Sequence, residues 1–459
     1  MTDTALAAAL ESRLREVYGT PVTISGLRHL TGGASRETWS FTAQVHTSEG
    51  TDDSDGSAPK GHRLILRRDP AGSTGAERMR LEAAVLREAA RMGVPVPVVI
   101  DDCGSAPEVL GGAFMIMSCV DGEAAPRRIL HDAEFDSIRP RLAYEMGTVL
   151  ARIHAADADR VPGLPDGSDQ LDALYREYLE SGTPLPVMEI AFRRLRENQR
   201  PPTRTTLVHG DFRLGNLLVS PSGITGVLDW ELTHRGDPAQ DLGWLCTRAW
   251  RFGSAGRVGG IGDLGDLLRG YTDESGITVD AESVDWWQLF GSLHWAIICR
   301  QQAGRAGSGH DALELLAVGR RVAECEYDLL VELGLPMPAS PPQAGDDDPD
   351  LFGEPTAADL LDAVGGFIAE LADGASDRDR YRSKVAAHVL RIVARESQTG
   401  SAARTELGAH LARAGFETES GLALAIRDGS VDPGDADIAA AISTAVGLRL
   451  AVANPRYAS

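Results

Sequence analysis

The 459-residue chain predicts an α+β fold in which strands crowd into the first 120 residues and helices fill most of the rest. Three observations carry that reading. Short or alternating apolar runs recur early, at Val22 to Leu27, Thr38 to Val45, Leu64 to Arg68 and Ala113 to Met117. From about Leu142 the apolar spacing changes to three and four, as in Leu142, Met146, Val149, Leu150 and Ile153. One late stretch departs from that helical pattern: Leu217-Leu218-Val219 and Ile224 with Val227-Leu228 flank Pro221-Ser222-Gly223 and predict a β-hairpin.

Taken in order, Ala5, Leu6, Ala9, Leu10, Leu14 and Val17 make the apolar face of an opening helix, closed by Gly19-Thr20-Pro21. Between the first two strands, Gly32, Gly33, Ala34 and Ser35 form a small-residue turn whose N–H groups could approach phosphate oxygens; a plain hairpin turn is the alternative. Residues 47–61 are polar and charge-rich, as in a surface loop. The third strand ends in Arg67 and Arg68, and alternation puts Arg67 on the same face as Ile65. A helix over Glu77 to Met92 is stopped by Gly93, Pro95 and Pro97. Helices near Leu171 to Leu179 and Val187 to Leu195 precede the hairpin. After it, 233–238 reads as a loop and Ala239 begins a helix towards Trp250. Helices resume over Val284 to Gln302 and Asp311 to Leu333, where Trp286, Trp287, His294 and Trp295 read as core. Residues 336–355 fall in a Pro- and acid-rich linker. Beyond it, Thr356 to Leu371, Asp377 to Glu396, Thr405 to Ala414 and Ala436 to Ala451 predict an all-helical region.

Composition removes several function classes. A net charge of -22 argues against a nucleic-acid partner, which would want a basic face. Five scattered cysteines without Cys-x-x-Cys spacing support neither a disulfide framework nor a zinc site. No basic-then-apolar leader opens the chain, and no apolar run approaches the ~20 residues of a membrane span, so a cytoplasmic protein is expected. A homodimer stays open as the assembly. A Gly-x-Gly-x-x-Gly string at Gly260 to Gly265 follows no predicted strand and is rejected as a dinucleotide site.

The chemistry concentrates at the hairpin. His209-Gly210-Asp211, four residues, Asn216 and then Asp229 repeat the order of a kinase catalytic loop and its later metal-binding carboxylate. Phosphoryl transfer needs one carboxylate beside the attacking hydroxyl and separate oxygen ligands for Mg²⁺; Asp211 suits the first task, Asn216 and Asp229 the second. A turn cap, a loop anchor and a strand end would explain these residues singly, but not their convergence in this order. His209 reads as an orienting group. Gly210 stands where a protein kinase carries Arg, which points to a small-molecule acceptor.

Extended by Asp229-Trp230-Glu231, Gly236-Asp237-Pro238 and Asp241-Leu242-Gly243, this constellation resembles the aminoglycoside phosphotransferase and choline kinase family. The string DWELTHRGDPAQDLGWL is most similar to the branch found as kinase-like halves of acyl-CoA dehydrogenase fusion proteins. The resemblance covers about the first three-quarters of the chain, and the remainder resembles a small helical domain that accompanies such enzymes. It implies a bilobal protein-kinase-like fold: a small β-rich N-lobe over 1–120, a larger mostly helical C-lobe over 121–335, a linker over 336–355 and an all-α accessory domain over 356–459. It further implies ATP and Mg²⁺, and phosphate transfer to a hydroxyl of a small molecule, with a hydroxylated acyl-CoA favoured over an aminoglycoside. By the same resemblance Arg67 replaces the phosphate-contacting Lys and Glu82, rather than Glu77 or Glu88, orients it. Ser118 and Val120 would then face the adenine edge, Glu231, Trp244 and Arg248 the acceptor, and Asp237 and Asp241 would cap and anchor. The rival reading is a non-catalytic nucleotide-binding scaffold, against which the intact Asp211, Asn216 and Asp229 argue.

Overall fold

The computed structural model describes residues 2–30, 36–46, 61–70, 75–104, 109–199, 201–202, 204–305, 312–338, 357–372 and 375–458. The turn from Gly32 to Ser35, the polar loop 47–60 and the linker from 339 to 356 lie outside the described residues. In chain order the elements are α1 (Asp3–Tyr18), β1 (Val22–Leu30), β2 (Glu37–Val45), β3 (His62–Arg68), α2 (Ala76–Arg91), β4 (Val99–Asp102), β5 (Phe114–Ser118), α3 (Pro126–His131), α4 (Arg139–His154), α5 (Gln170–Glu180) and α6 (Pro186–Glu197). Then follow β6 (Thr206–Val208), β7 (Leu217–Ser220), β8 (Gly223–Val227), β9 (His234–Gly236), α7 (Ala239–Cys246), α8 (Leu264–Ser275), α9 (Ala281–Arg305), α10 (Ala312–Arg320), α11 (Val322–Leu333), α12 (Ala357–Leu371), α13 (Asp377–Arg413), α14 (Glu419–Asp428) and α15 (Ala436–Ala453). An N-terminal sheet, a helical part and an all-helical C-terminal region give the α+β, kinase-like organisation that the sequence predicts.

These elements gather into two compact units. One comprises Met1–Ser168, Pro202–Cys246 and Trp250–Ala281; the other comprises Asp169–Pro201, Thr247–Ala249 and Glu282–Ser459. The accessory helices thus share a unit with α5, α6 and α9 to α11, rather than standing alone after the linker.

In the first unit, five antiparallel strands pair in the order β1-β2-β3-β5-β4. β3 shows why the two adjacent arginines differ. Its alternation sends Leu64, Leu66 and Arg68 to the buried face and leaves Ile65 and Arg67 on the other, half-buried. Arg68 is satisfied inside by Glu37 and by the carbonyl of Leu110. α2 packs on β4 and β5 through Met79, Ala83, Val85 and Leu86. The sequence does not announce β4: its Val-Ile-Asp-Asp is short and half acidic, and pairing with the fully apolar run of β5 makes it a strand.

Two further elements correct the sequence reading. His234–Gly236, expected as loop, is a strand paired with β6. α8 was not anticipated; Asp263 caps it by accepting the N–H of Asp266, so the rejected Gly-rich string ends in a helix start. α4 and α8 cross at two glycines. A Cβ on Gly147 would lie 2.1 Å from the carbonyl oxygen of Leu267, and one on Gly270 would lie 2.0 Å from that of Tyr144. Backbone against backbone leaves no room for even a methyl group.

The second unit is helical. The segment read as two helices, Asp377 to Glu396 and Thr405 to Ala414, is one 37-residue helix through Gly400, and α14 was not foreseen. Asp311 to Leu333, read as one helix, is broken into α10 and α11. Of Trp286, Trp287, His294 and Trp295, only Trp287 is buried; the other three are half-buried. α15 is, by length and composition, apolar enough to cross a membrane, which the sequence reading missed; half of it is buried within this unit, against α11 and α13. Buried acids are matched by basic or hydroxyl partners: Glu326 by Arg449, Glu189 by Arg427, and Asp328 by Arg248 Nε at 2.8 Å and the Tyr457 hydroxyl at 2.7 Å.

Two outcomes follow. Gly270→Ala should destabilise the first unit by about 2 kcal/mol or more, read from denaturant unfolding, because the crossing helices must separate. Burial pushes the Asp328 carboxyl up to about 6, from 3.8 in the unfolded chain, despite its Tyr457 and Arg248 partners. The folded chain therefore holds that proton more tightly, a contribution complete below about pH 4 and lost as pH rises through about 6. Relative to wild type, Asp328→Asn should gain about 1–3 kcal/mol between those pH values, measured as the difference between the two unfolding curves.

Candidate active site

The loop after β6 is held from below by one buried carboxylate. Asp241, in the first turn of α7, accepts the backbone N–H of His209 at Oδ2 (2.8 Å) and that of Gly210 at Oδ1 (2.9 Å). Its Oδ2 also meets His154 Nε2 at 3.0 Å. His154 Nδ1 faces the Tyr271 hydroxyl, which accepts from Arg204 Nη2 at 2.6 Å. With Arg204 donating, the hydroxyl donates to Nδ1, leaving the His154 proton on Nε2 for Asp241. Burial would raise the Asp241 carboxyl, but the His154 hydrogen bond and the backbone donors prevail and hold it below the ordinary range. Gly210 takes a left-handed φ of 84°, and a Cβ there would lie 2.6 Å from the Leu232 carbonyl oxygen.

His209 is neutral and structural. Burial lowers its pKa against the pull of Asp241 and Asp211. Nδ1 accepts the N–H of Asp211 at 3.1 Å, so the proton resides on Nε2 and is donated to the Leu228 carbonyl at 3.1 Å. The ring thereby ties the loop to the end of the β7–β8 hairpin, as its orienting role requires.

Above this support stands Asp211. Oδ1 accepts from Trp244 Nε1 at 2.8 Å and from Arg213 Nε at 2.9 Å, and Oδ2 accepts from Asn216 Nδ2 at 2.7 Å. Both oxygens are therefore aimed. The Arg213 guanidinium lies 4.4 Å over the Trp250 ring, which also packs on Trp244. Asn216 spends its amide N–H groups on Asp211, and its Oδ1 has no protein partner among the described residues. Leu228 N–H donates to the Asn216 carbonyl at 2.8 Å, bringing the next residue, Asp229, towards Asn216. Asp229 holds a φ of 64°, unusual for a side chain other than glycine, and its Oδ1 is 3.9 Å from Arg67 Nη2. An amide oxygen and a carboxylate with open lone pairs are hard donors that fit Mg²⁺ beside phosphate oxygens, and no three His, Cys, Asp or Glu side chains cluster as a metal site among the described residues.

On the sheet side, Glu82 bonds Arg67 with Oε1 and Arg36 with Oε2, and Arg36 Nε reaches Asp69 at 3.0 Å. Ser118 is fixed to Val98 by its N–H and hydroxyl, whereas the N–H and carbonyl of Val120 have no protein partner among the described residues. Glu231 lies near Asp229, Arg36 and Arg67; loss of water and then the Asp229 charge raise its carboxyl. Gly32, Gly33, Ala34 and Ser35 fall outside the described residues. The structure therefore joins Asp211, Asn216 and Trp244 in one hydrogen-bonded group and Arg67 and Glu82 in another, with Asp229 Oδ1 3.9 Å from Arg67 Nη2. Arg248 is in neither: it belongs to the second unit and is committed to Asp328. Asp237 caps α7 by accepting the Ala239 N–H, and Asp241 anchors the loop. Sequence reasoning missed Arg36 and Arg213. A basic residue two places after the candidate carboxylate is a signal for the second, whereas the first shows itself only through its partner.

Residues 27–283 match the phosphotransferase enzyme family, more than half of the chain. The chain belongs to that family. Residues 373–457, at the C-terminal end, match a domain of unknown function, DUF6285. The chain shares 33% identity over 199 residues with acyl-CoA dehydrogenase family member 10 of Mus musculus, covering 40% of this chain and 18% of that protein. It shares 28% identity over 354 residues with IBR3 of Arabidopsis thaliana, named for an acyl-CoA dehydrogenase, covering 68% and 42%. The chain thus spans less than half the length of either relative. Among solved structures, a Ralstonia eutropha protein provisionally named an aminoglycoside phosphotransferase matches with a TM-score of 0.53 at 25% identity, over 71% of this chain and 98% of that one.

The support beneath the phosphotransferase loop can be tested apart from catalysis. Asp241→Asn should cost about 3 kcal/mol of unfolding free energy and speed amide hydrogen exchange at His209 and Gly210, because a buried multi-partner acceptor is lost. The carboxylate's contribution is present above about pH 4 and fades as pH falls through its depressed folded value, so the gap between wild type and variant should narrow in acid.

Proposed function

We propose that the protein transfers the γ-phosphate of ATP, with Mg²⁺, to a hydroxyl of a small molecule, and that this acceptor is a hydroxylated acyl-CoA or a similar alcohol. The observation that carries the reading is the Asp211 carboxylate, fixed through both oxygens by Trp244, Arg213 and Asn216. A carboxylate so held orients the acceptor hydroxyl and takes its proton as the bond to phosphorus forms, with little reorganisation. Arg67, aimed by Glu82, contacts the nucleotide phosphates, and the open N–H and carbonyl of Val120 suit an adenine edge. Asn216 Oδ1 and Asp229 would hold the metal, which when bound neutralises charge on the phosphates.

Two observations support the acyl acceptor over a cationic amino sugar. The acceptor carboxylate is walled by Trp244, Trp250 and a guanidinium, an apolar and cationic surface. The curated relatives that contain this segment carry acyl-CoA dehydrogenase names. The net charge of -22 supports a small-molecule rather than a nucleic-acid partner, in the cytoplasm.

Transfer of label from γ-labelled ATP into panels of hydroxyacyl-CoAs and aminoglycosides tests this directly. Asp211→Asn should lose about 100-fold or more of the turnover while still binding nucleotide, and Asp229→Ala should weaken Mg-nucleotide binding. Label in an aminoglycoside alone would reject the acyl acceptor. Nucleotide binding with no transfer to either panel would favour the non-catalytic scaffold.

A further inference from the structure

The helix that follows the linker carries an apolar sector wider than its own unit covers. α12 reads AADLLDAVGGFIAEL, and one edge of it packs on α13, with Gly365, Ala358 and Ala372 buried. Leu361 and Ile368 beside that edge are half-buried. Next to them Leu360, Val364, Phe367 and Leu371 recur every three or four residues, hence on one face, and are 55%, 49%, 60% and 61% exposed. No charged residue falls on the stripe; Asp362 and Glu370 stand to its side. The small Ala363 flanks it on the side away from α13.

We propose that this stripe pairs with the same stripe of a second copy of the chain, joining two α12–α13 hairpins into a homodimer. The area selects the occupant. The four side chains expose roughly 400 Å² of apolar surface, the size of the largest apolar patch on an ordinary monomer. Alone that is too little for a stable interface. Doubled by a two-fold axis and extended by Ala363 and the half-buried Leu361 and Ile368, it reaches about the 1,000 Å² that a specific contact needs. A two-fold contact also asks for one self-complementary patch on the chain, and the stripe is one. Two helical hairpins joined this way make a four-helix bundle, which buries the sector that a single hairpin leaves open.

The test uses the full chain at about 20 µM in sedimentation velocity, with Phe367→Lys/Leu371→Glu as the disrupting variant. Val364→Cys, in a Cys119→Ser background so that the half-buried native thiol does not react, provides a covalent readout that does not depend on the disrupting variant folding. The expected result is a wild-type dimer, a monomeric double variant, and an interchain disulfide through Cys at 364 under mild oxidation. A monomeric wild type would overturn the proposal. So would a dimer that persists in the folded double variant, or a dimer in which the position-364 thiols fail to cross-link.

Discussion

One buried carboxylate sets the geometry on which the rest depends. Asp241 accepts two consecutive backbone N–H groups and the His154 ring N–H, which Tyr271 and Arg204 orient in turn, so the loop above is tied to it at two successive residues. Isolated, such a charge would be prohibitively costly to bury. Its partners come from α4, α8 and the strand leading into the loop, so the Gly147–Gly270 crossing that brings α4 and α8 together bears on the loop as well. Packing of two helices and aim of the candidate catalytic carboxylate are in this sense one constraint.

The sheet side repeats the device with a second buried acid. Glu82 is buried and shared by two guanidiniums, so each holds the other in place through the same acid. Arg67 then reaches the space before Asp229, while its neighbour Arg68 turns inward to Glu37. Pleat alternation alone decides which of two adjacent, chemically identical residues faces the site.

Much of this was readable because the chemistry is local in sequence. His209, Asp211, Asn216 and Asp229 fall within one hairpin and its approach, where spacing constrains geometry tightly, and the first three strands have the alternation that strands require. What was missed depends on partners distant in the chain. β4 and β9 are strands by virtue of the strands they pair with, and Arg36 matters through an acid more than forty residues away. The break inside α13 was expected at its Gly-Ser-rich middle, yet the helix runs on, since neighbouring α12 and α15 outweigh the cost of one glycine. Arg248 misled because a basic residue near an aromatic in sequence says nothing about which acid will claim it.

The arginine at position 67 has a consequence for how the protein can be studied. Kinases that place a lysine at this point carry there a primary amine rather than a guanidinium. This chain has only two lysines, Lys60 and Lys384, neither on β3 or α2. A guanidinium stays protonated in water and is a poor nucleophile. A nucleotide probe that depends on an amine will therefore find none on β3 or α2, the elements that carry Arg67 and Glu82.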